Sequence, residues 1–243
     1  MVMSAPHHRL AGRSGLAVPL IRHLAAPLVP AACVLIVAAG CGSDDEQSTR
    51  KSASVRAEAT PSPDLASRSV QGDDLVGFRL VADDRNEVQT DPGRFSADHA
   101  GLYANPPVAV IALRRDGFVA GTGKRFEPRR RRGLAESIAV QMRDANGAAA
   151  EAKRQFSSAF APYPGEPRCA TGIVRFEVPR VPGAVAVEIR HELDGNAFDD
   201  TTVVFTKGAF VYRVFASGAG IDGRRDELID AARALYQRVP EGE

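Results

Sequence analysis

Beyond residue 74 the chain switches between apolar positions spaced by two and apolar positions spaced by three or four, and these periods predict its elements. DLVGFRLVADD crowds Leu75, Val76, Phe78, Leu80 and Val81 into a run too short and too apolar for a surface helix, so it reads as a first strand or entry segment. The Asp-, Asn- and Gly-rich passage to about Asn105 reads as a long excursion. Pro106 and Pro107 then precede VAVIALRRDGF, where Val108, Ile111 and Ala112 lie at helical spacing; proline is tolerated in a first turn, and the helix is predicted to end near Gly117. FVAGTGKRFEP reads as a strand interrupted by glycines. LAESIAVQMRD sets Ile138, Val140 and Met142 against Ser137, Gln141 and Arg143, a second strand antiparallel to the first and joined to it through arginines.

ANGAAAEAKRQFSSAF predicts an amphipathic helix, with Phe156 and Phe160 one turn apart and Asp144 or Asn146 as its cap. The loop APYPGEPRCATG stops it. Two strands follow, IVRFEVPRVPG and AVAVEIRHEL, the latter with Val185, Val187 and Ile189 on one face and Glu188 and Arg190 on the other. TTVVFTKGAFVYRVFAS is a hairpin, with Gly208 supplying the positive φ its turn needs. DELIDAARALYQRV puts Leu228, Ala231, Ala232 and Leu235 on one stripe of a closing helix. Hairpin-length connections among the later strands imply an antiparallel sheet with helices packed on it, an α+β domain over residues 74–243.

The sequence before residue 74 is of another kind. Arg9, Arg13 and Arg22, with no acid among them, precede an apolar run from Leu24 to Gly40 that is broken by Pro27 and Pro30 and, at about 17 residues, sits at the lower limit for crossing a bilayer. Ala38-Ala39-Gly40-Cys41 resembles the lipobox of bacterial lipoproteins, with Ala38 where leucine is commoner. That resemblance implies a signal peptide over 1–40 and a diacylglyceryl thioether on Cys41, whose two acyl chains anchor stably where one is marginal. A cleaved secretory signal or an uncleaved helix are the alternatives, and all three put the remainder outside the cytoplasm. Residues 41–73, rich in Ser, Ala, Thr, Pro and charge, read as a disordered tether.

Removing residues 1–40 takes the formal charge from +1 to about −2, which is not the balance of a nucleic-acid binder. Cys169 is then the one cysteine besides Cys41, so no internal disulfide is available to the domain; it is expected to be buried and inert, or to pair between molecules. Gly117-Phe118, Gly147-Ala148, FEVPRVPGA and VVFTKGAFVYRV are similar to a group of uncharacterised lipid-anchored proteins of high-GC Gram-positive bacteria, loosely PsbP-like, across roughly residues 117–239. The resemblance implies fold and location and carries no activity.

Chemistry is sparse. His99 and His191 are the histidines of the mature chain, no G-x-S-x-G elbow is present, and neither histidine has a partner legible from spacing. No metal-ligand spacing and no cofactor motif occurs. DGNAFDD, Asp194 to Asp200, carries three carboxylates without the spacing of a calcium loop and reads as a polar turn or a weak calcium site. Gly121-Thr122-Gly123-Lys124 has a faint likeness to a phosphate loop but lacks the following helix. The densest charge is KRFEPRRRR, where Lys124, Arg125, Arg129, Arg130, Arg131 and Arg132 stand with a single acid: either a patch for anionic lipid or wall polymer, or a solvated turn that protects a sheet edge. Together these features predict an extracytoplasmic lipoprotein whose domain is a non-enzymatic envelope binder of an apolar ligand or an anionic polymer. An envelope enzyme with scattered catalytic residues, or an accessory or sensor subunit of a membrane protein, are the alternatives, and the identity of any protein partner is not written in the sequence.

Overall fold

Among the described residues, period-two alternation produces seven strands and the 3.6-residue stripes four α-helices: β1 (Phe78–Leu80), α1 (Pro92–Asp98), α2 (Pro106–Asp116), β2 (Phe118–Pro128), β3 (Leu134–Met142), α3 (Ala145–Ser158), β4 (Cys169–Phe176), β5 (Val185–Leu193), β6 (Asn196–Lys207), β7 (Phe210–Gly218) and α4 (Arg225–Arg238). The structure, a computed structural model, describes residues 59–81, 86–129, 133–161, 169–193, 196–218 and 225–241, all within the unit Val55–Glu243. Among the described residues no helix is long and apolar enough to cross a membrane. The run from Leu24 to Gly40 and Cys41 lie outside them.

The strands form one antiparallel sheet in the order β1-β2-β3-β7-β6-β5-β4. It is two meanders, β1 to β3 and β4 to β7, zipped together by β3 and β7 over eight residue pairs from Leu134↔Ser217 to Gln141↔Phe210. The hairpin between β6 and β7 turns on two residues: Gly208 has φ 60°, Ala209 does not have positive φ, and that order of signs is a type II′ turn, which matches strand twist.

Helices cover both faces of the sheet. On one face α4 lays Leu228, Ala231, Ala232 and Leu235 against Phe205, Tyr212 and Val214. The other face carries Ile138, Val140, Met142, Val204 and Val211 beneath α1, α2 and α3. The α+β expectation therefore holds, with the helices divided between the two sides.

Three expectations change. Residues 59–73, assigned above to the tether, are part of the fold. Leu65 and Val70 are fully buried with α4 on the first face, Val70 N–H donates to Ser137 Oγ (2.9 Å), and the Gln141 side chain clamps the backbone of Thr60 and Ser62. The polar residues of β3 that suggested a wet face are the partners of this strap. Second, the excursion before Asn105 contains α1, whose start had a legible signal: Asp91 Oδ1 accepts from Arg94 N–H and Pro92 occupies the first turn. Third, α2 buries Ala109 and Leu113, while Val108 and Ile111 are 58% and 70% exposed. The small Ala109 lets the helix sit close to its neighbours, and the bulkier pair is turned outward.

Candidate functional site

The site is built where α1 and the turn after it cross the sheet. Two glycines of β2 leave bare backbone there. A Cβ on Gly121 would stand 2.5 Å from Phe95 Cε2, and one on Gly123 would stand 2.2 Å from His99 Cε1, so both rings are seated on glycine. The Gly-Thr-Gly stretch is thus a docking surface for α1 and not a phosphate loop. His99 is buried, tilted against Phe95 at 4.8 Å between ring centroids, and its Nδ1 lies 3.0 Å from Glu136 Oε1. An ionised carboxylate only accepts, so the neutral ring carries its proton on Nδ1.

Beyond His99 the short 3-10 turn Ala100–Leu102 bridges two hollows over the sheet. The first, with a volume of about 30 Å³, lies between Tyr103, the end of α3 and the strands β5, β6 and β7. The second, roomier at about 280 Å³, is lined by His99, Arg125 and Glu136 among others. Arg213 and Phe215 of β7, with Ala100 and Gly101 above them, wall both hollows. Arg213 is 3% exposed and its guanidinium lies 4.9 Å from the Phe215 ring centroid. In the first hollow His191 Nε2 stands 3.2 Å from Asp200 Oδ2. Each hollow therefore holds a histidine oriented by a carboxylate, and the two share one buried arginine.

A second polar network fixes the wall. Tyr103 Oη donates to Glu151 Oε1 (2.8 Å), Gln155 Nε2 donates to the same oxygen (2.8 Å), and Arg154 bridges Glu151 to Asp116. Glu151 is wholly buried, and desolvation pushes its carboxyl above the usual range against the pull of Arg154. Burial, with Glu151 beside it, pushes the Tyr103 phenol well up, so it remains a neutral donor. The helix that supplies Glu151 packs close because position 147 is glycine: a Cβ there would stand 2.3 Å from the Asp116 carbonyl oxygen.

The cationic run does not stay together. Alternation along β2 sends Lys124 to the α4 face, where its Nζ donates to Gln71 Oε1 (3.3 Å) and burial holds its ammonium below the usual range. Arg125 goes to the opposite face and lines the second hollow. Arg129 is exposed past the end of β2, and Arg130, Arg131 and Arg132 lie outside the described residues. Lys124 and Arg125 therefore stand on opposite faces, because a strand turns successive side chains to opposite sides.

DGNAFDD likewise is mostly strand. Asp199 and Asp200 belong to β6, with Asp199 holding Arg190 through two hydrogen bonds (2.8 and 3.2 Å) on one face and Asp200 holding His191 on the other; Asp194 and Gly195 lie outside the described residues. No group of residues suited to a metal ion occurs among the described residues. Cys169 opens β4, and its side chain is outside the described set.

Sequence reasoning missed Arg213, Glu136, Tyr103 and Glu151. Two had a signal: Arg213 shares a strand face with Val211 and Phe215, and Glu136 shares one with Ile138 and Val140. A charge on an apolar face needs a partner, and Glu136 finds one in His99 at the end of α1.

No family model matches the sequence, and no curated protein matches it. Among solved structures, the extracellular domain of PknH from Mycobacterium tuberculosis is similar at 12% identity and a TM-score of 0.46, over 75% of this chain and 100% of that chain.

Proposed function

We propose that this chain is an extracytoplasmic lipoprotein, anchored through Cys41, whose folded body is a binding domain with the double hollow as its ligand site. The observation that carries the reading is that His99–Glu136 and His191–Asp200 line two adjoining hollows walled in common by Arg213. Polar groups held in place by other polar groups favour a small polar ligand over the apolar cargo that the sequence left open.

Native mass spectrometry of the full-length chain, released in detergent from its own membranes, tests the reading. A co-purifying small molecule should be present on the wild type and lost from Arg213→Gln. No bound species, or one that Arg213→Gln retains, refutes it.

An envelope enzyme is the second reading, favoured by the same pairs, since a histidine oriented by a carboxylate is the base half of a catalytic triad. Ser158, the serine at the first hollow, spends its hydroxyl on the Arg154 carbonyl (2.9 Å). Turnover of a panel of esters that disappears in His191→Gln would favour this reading over the first.

A further inference from the structure

We infer that the outward face of α2 and α3 docks on an anionic lipid bilayer, with Val108 and Ile111 seated among the headgroups and Arg114, Arg115 and Lys153 on their phosphates. The inference rests on the reading of the chain as anchored through Cys41 and adds the surface that the body turns to that membrane.

α2 is apolar on two opposite stripes. Ala109 and Leu113 point inward, and at about 3.6 residues per turn Ile111 stands opposite them, with Val108 and Arg115 to one side of it and Arg114 to the other. The inner stripe is satisfied by the core it shares with Phe95 and Val140. The outer stripe is covered by nothing among the described residues. A helix that is apolar on both sides belongs in surroundings that are apolar on both sides, and here the outer surroundings have still to be supplied.

Charge selects those surroundings. α2 and α3 pack side by side, joined where Arg154 of α3 reaches Asp116 of α2. Between them they carry four cations, Arg114, Arg115, Lys153 and Arg154, and two acids, Asp116 and Glu151. Both acids are held by Arg154, with side chains 10% and 0% exposed, so the charges left on the outside are positive. Arg115 also holds Asp116 (2.7 Å) and its side chain stays exposed; Arg114 and Lys153 are exposed and make no ion pair among the described residues. In α1, which meets α2 where Ser96 Oγ donates to the Pro106 carbonyl (3.2 Å), the acids are engaged: Asp91 caps the helix, and Asp98 is held by Gln89 and Arg94. On the other side of the sheet α4 carries three cations and three acids and exposes Asp226 and Asp230. An apolar centre with a cationic margin therefore lies on one side of the body, and that pairing matches acidic headgroups over an acyl interior.

An anchor lets so small a face suffice. Gln141 holds the backbone of Thr60 and Ser62; the next residue of β3, Met142, pairs with Phe118, and Arg143 N–H donates to the carbonyl of Gly117, which closes α2 (2.7 Å). Thr60 thus stands at the end of the sheet where α2 ends. The stretch from Cys41 to Thr60 cannot span more than about 65 Å. Docking of the anchored body is then an intramolecular step at high effective concentration, which two apolar side chains and three cations can drive.

The chain has no tryptophan, so Ile111→Trp gives it a single indole on this face, and Val76→Trp gives one at an exposed position ahead of β1. Each full-length chain is purified in detergent and reconstituted into vesicles of equal parts phosphatidylglycerol and phosphatidylcholine, or of phosphatidylcholine alone. In the anionic vesicles, brominated acyl chains should quench the indole at position 111 severalfold more strongly than the one at position 76, and the preference should shrink in phosphatidylcholine and in high salt. Adding Arg114→Gln and Lys153→Gln together should lower the ratio of docked to undocked body on the order of tenfold or more. The wild type shows whether the indole itself drives insertion: nitroxide-labelled phosphatidylglycerol should broaden the methyl NMR signals of Val108 and Ile111 and spare those of Val76. Equal quenching at the two positions, equal quenching in the two lipids, or sharp Val108 and Ile111 methyl signals overturns the inference. So does an indole at position 111 that is shielded without lipid as protein concentration rises, which would assign the face to a second copy of the chain. The mass of the purified chain reports the anchor separately. If the diacylglyceryl group is missing the anchored reading falls, and anionic vesicles added to that chain uphold the docking face if they quench the indole at position 111 and overturn it if they do not.

Discussion

Leu65→Ala puts the revised domain boundary to measurement. Leu65 has no solvent exposure, in a short 3-10 turn (Leu65–Ser67) that the composition of residues 41–73 assigns to a tether, and it shares a core with Phe205, Tyr212 and the α4 stripe. Cutting a fully buried leucine to alanine removes its transfer free energy and leaves a cavity, about 2 to 5 kcal/mol together. Domains of this size hold about 5 to 15 kcal/mol in all, and each kcal/mol moves the melting temperature by about 2 to 4 °C. A mid-range loss of about 3 kcal/mol therefore lowers Tm by about 6 to 12 °C. The chain has no tryptophan, so urea unfolding is best followed by far-UV circular dichroism. Val76→Ala is the control: Val76 is 73% exposed, and its loss should stay within about 0.5 kcal/mol. If Leu65→Ala costs less than about 1 kcal/mol, indistinguishable from a surface change, the strap is not part of the cooperative fold and the boundary at Asp73 is restored.

Gly121→Ala drives a methyl into the Phe95 ring and should cost about 1 to 3 kcal/mol by overpacking, while Gly172→Ala on the edge strand, whose Cβ meets only Arg190 Cβ at 3.8 Å, should be neutral or slightly stabilising; paired urea titrations check both. Asp116 is held below its ordinary 3.8 chiefly by its hydrogen bond from Arg115, with Arg154 adding to it. A depressed carboxylate contributes stability that is present above that value and lost as pH falls through the lower folded one, so the Tm of Asp116→Asn should fall less steeply in acid than that of the wild type. Identical acid slopes would refute the assignment, and the slope that remains belongs in part to Asp64, which is depressed by Ser62 and Arg68.

Much of the secondary structure was legible because it is decided by neighbours in the chain. Asn105 capping α2 ahead of two prolines, Gly117 closing it in the left-handed region, Asp144 capping α3 and Gly208 in the β6–β7 turn are short-range facts, and the sequence states them. The strap was illegible for the opposite reason. Leu65 and Val70 are isolated apolar residues in polar surroundings, and only the surface formed by β3, β7 and α4 makes them worth burying. The same holds for α2, where Val108 and Ile111 have the better pattern and Ala109 and Leu113 have the better fit.

What the sequence by itself determined is the alternation that makes seven strands, the stripes and caps that make the helices, and the signal-like segment ahead of Cys41. Register was beyond it, and register made the site. Sliding β7 by one residue against β3 would send Arg213 to the α4 face and leave His191, Asp200 and Glu136 without it. His99 and His191, more than ninety positions apart, come to adjoining hollows because two meanders pair edge to edge, a choice governed by the burial of both faces of the sheet and not by any local preference.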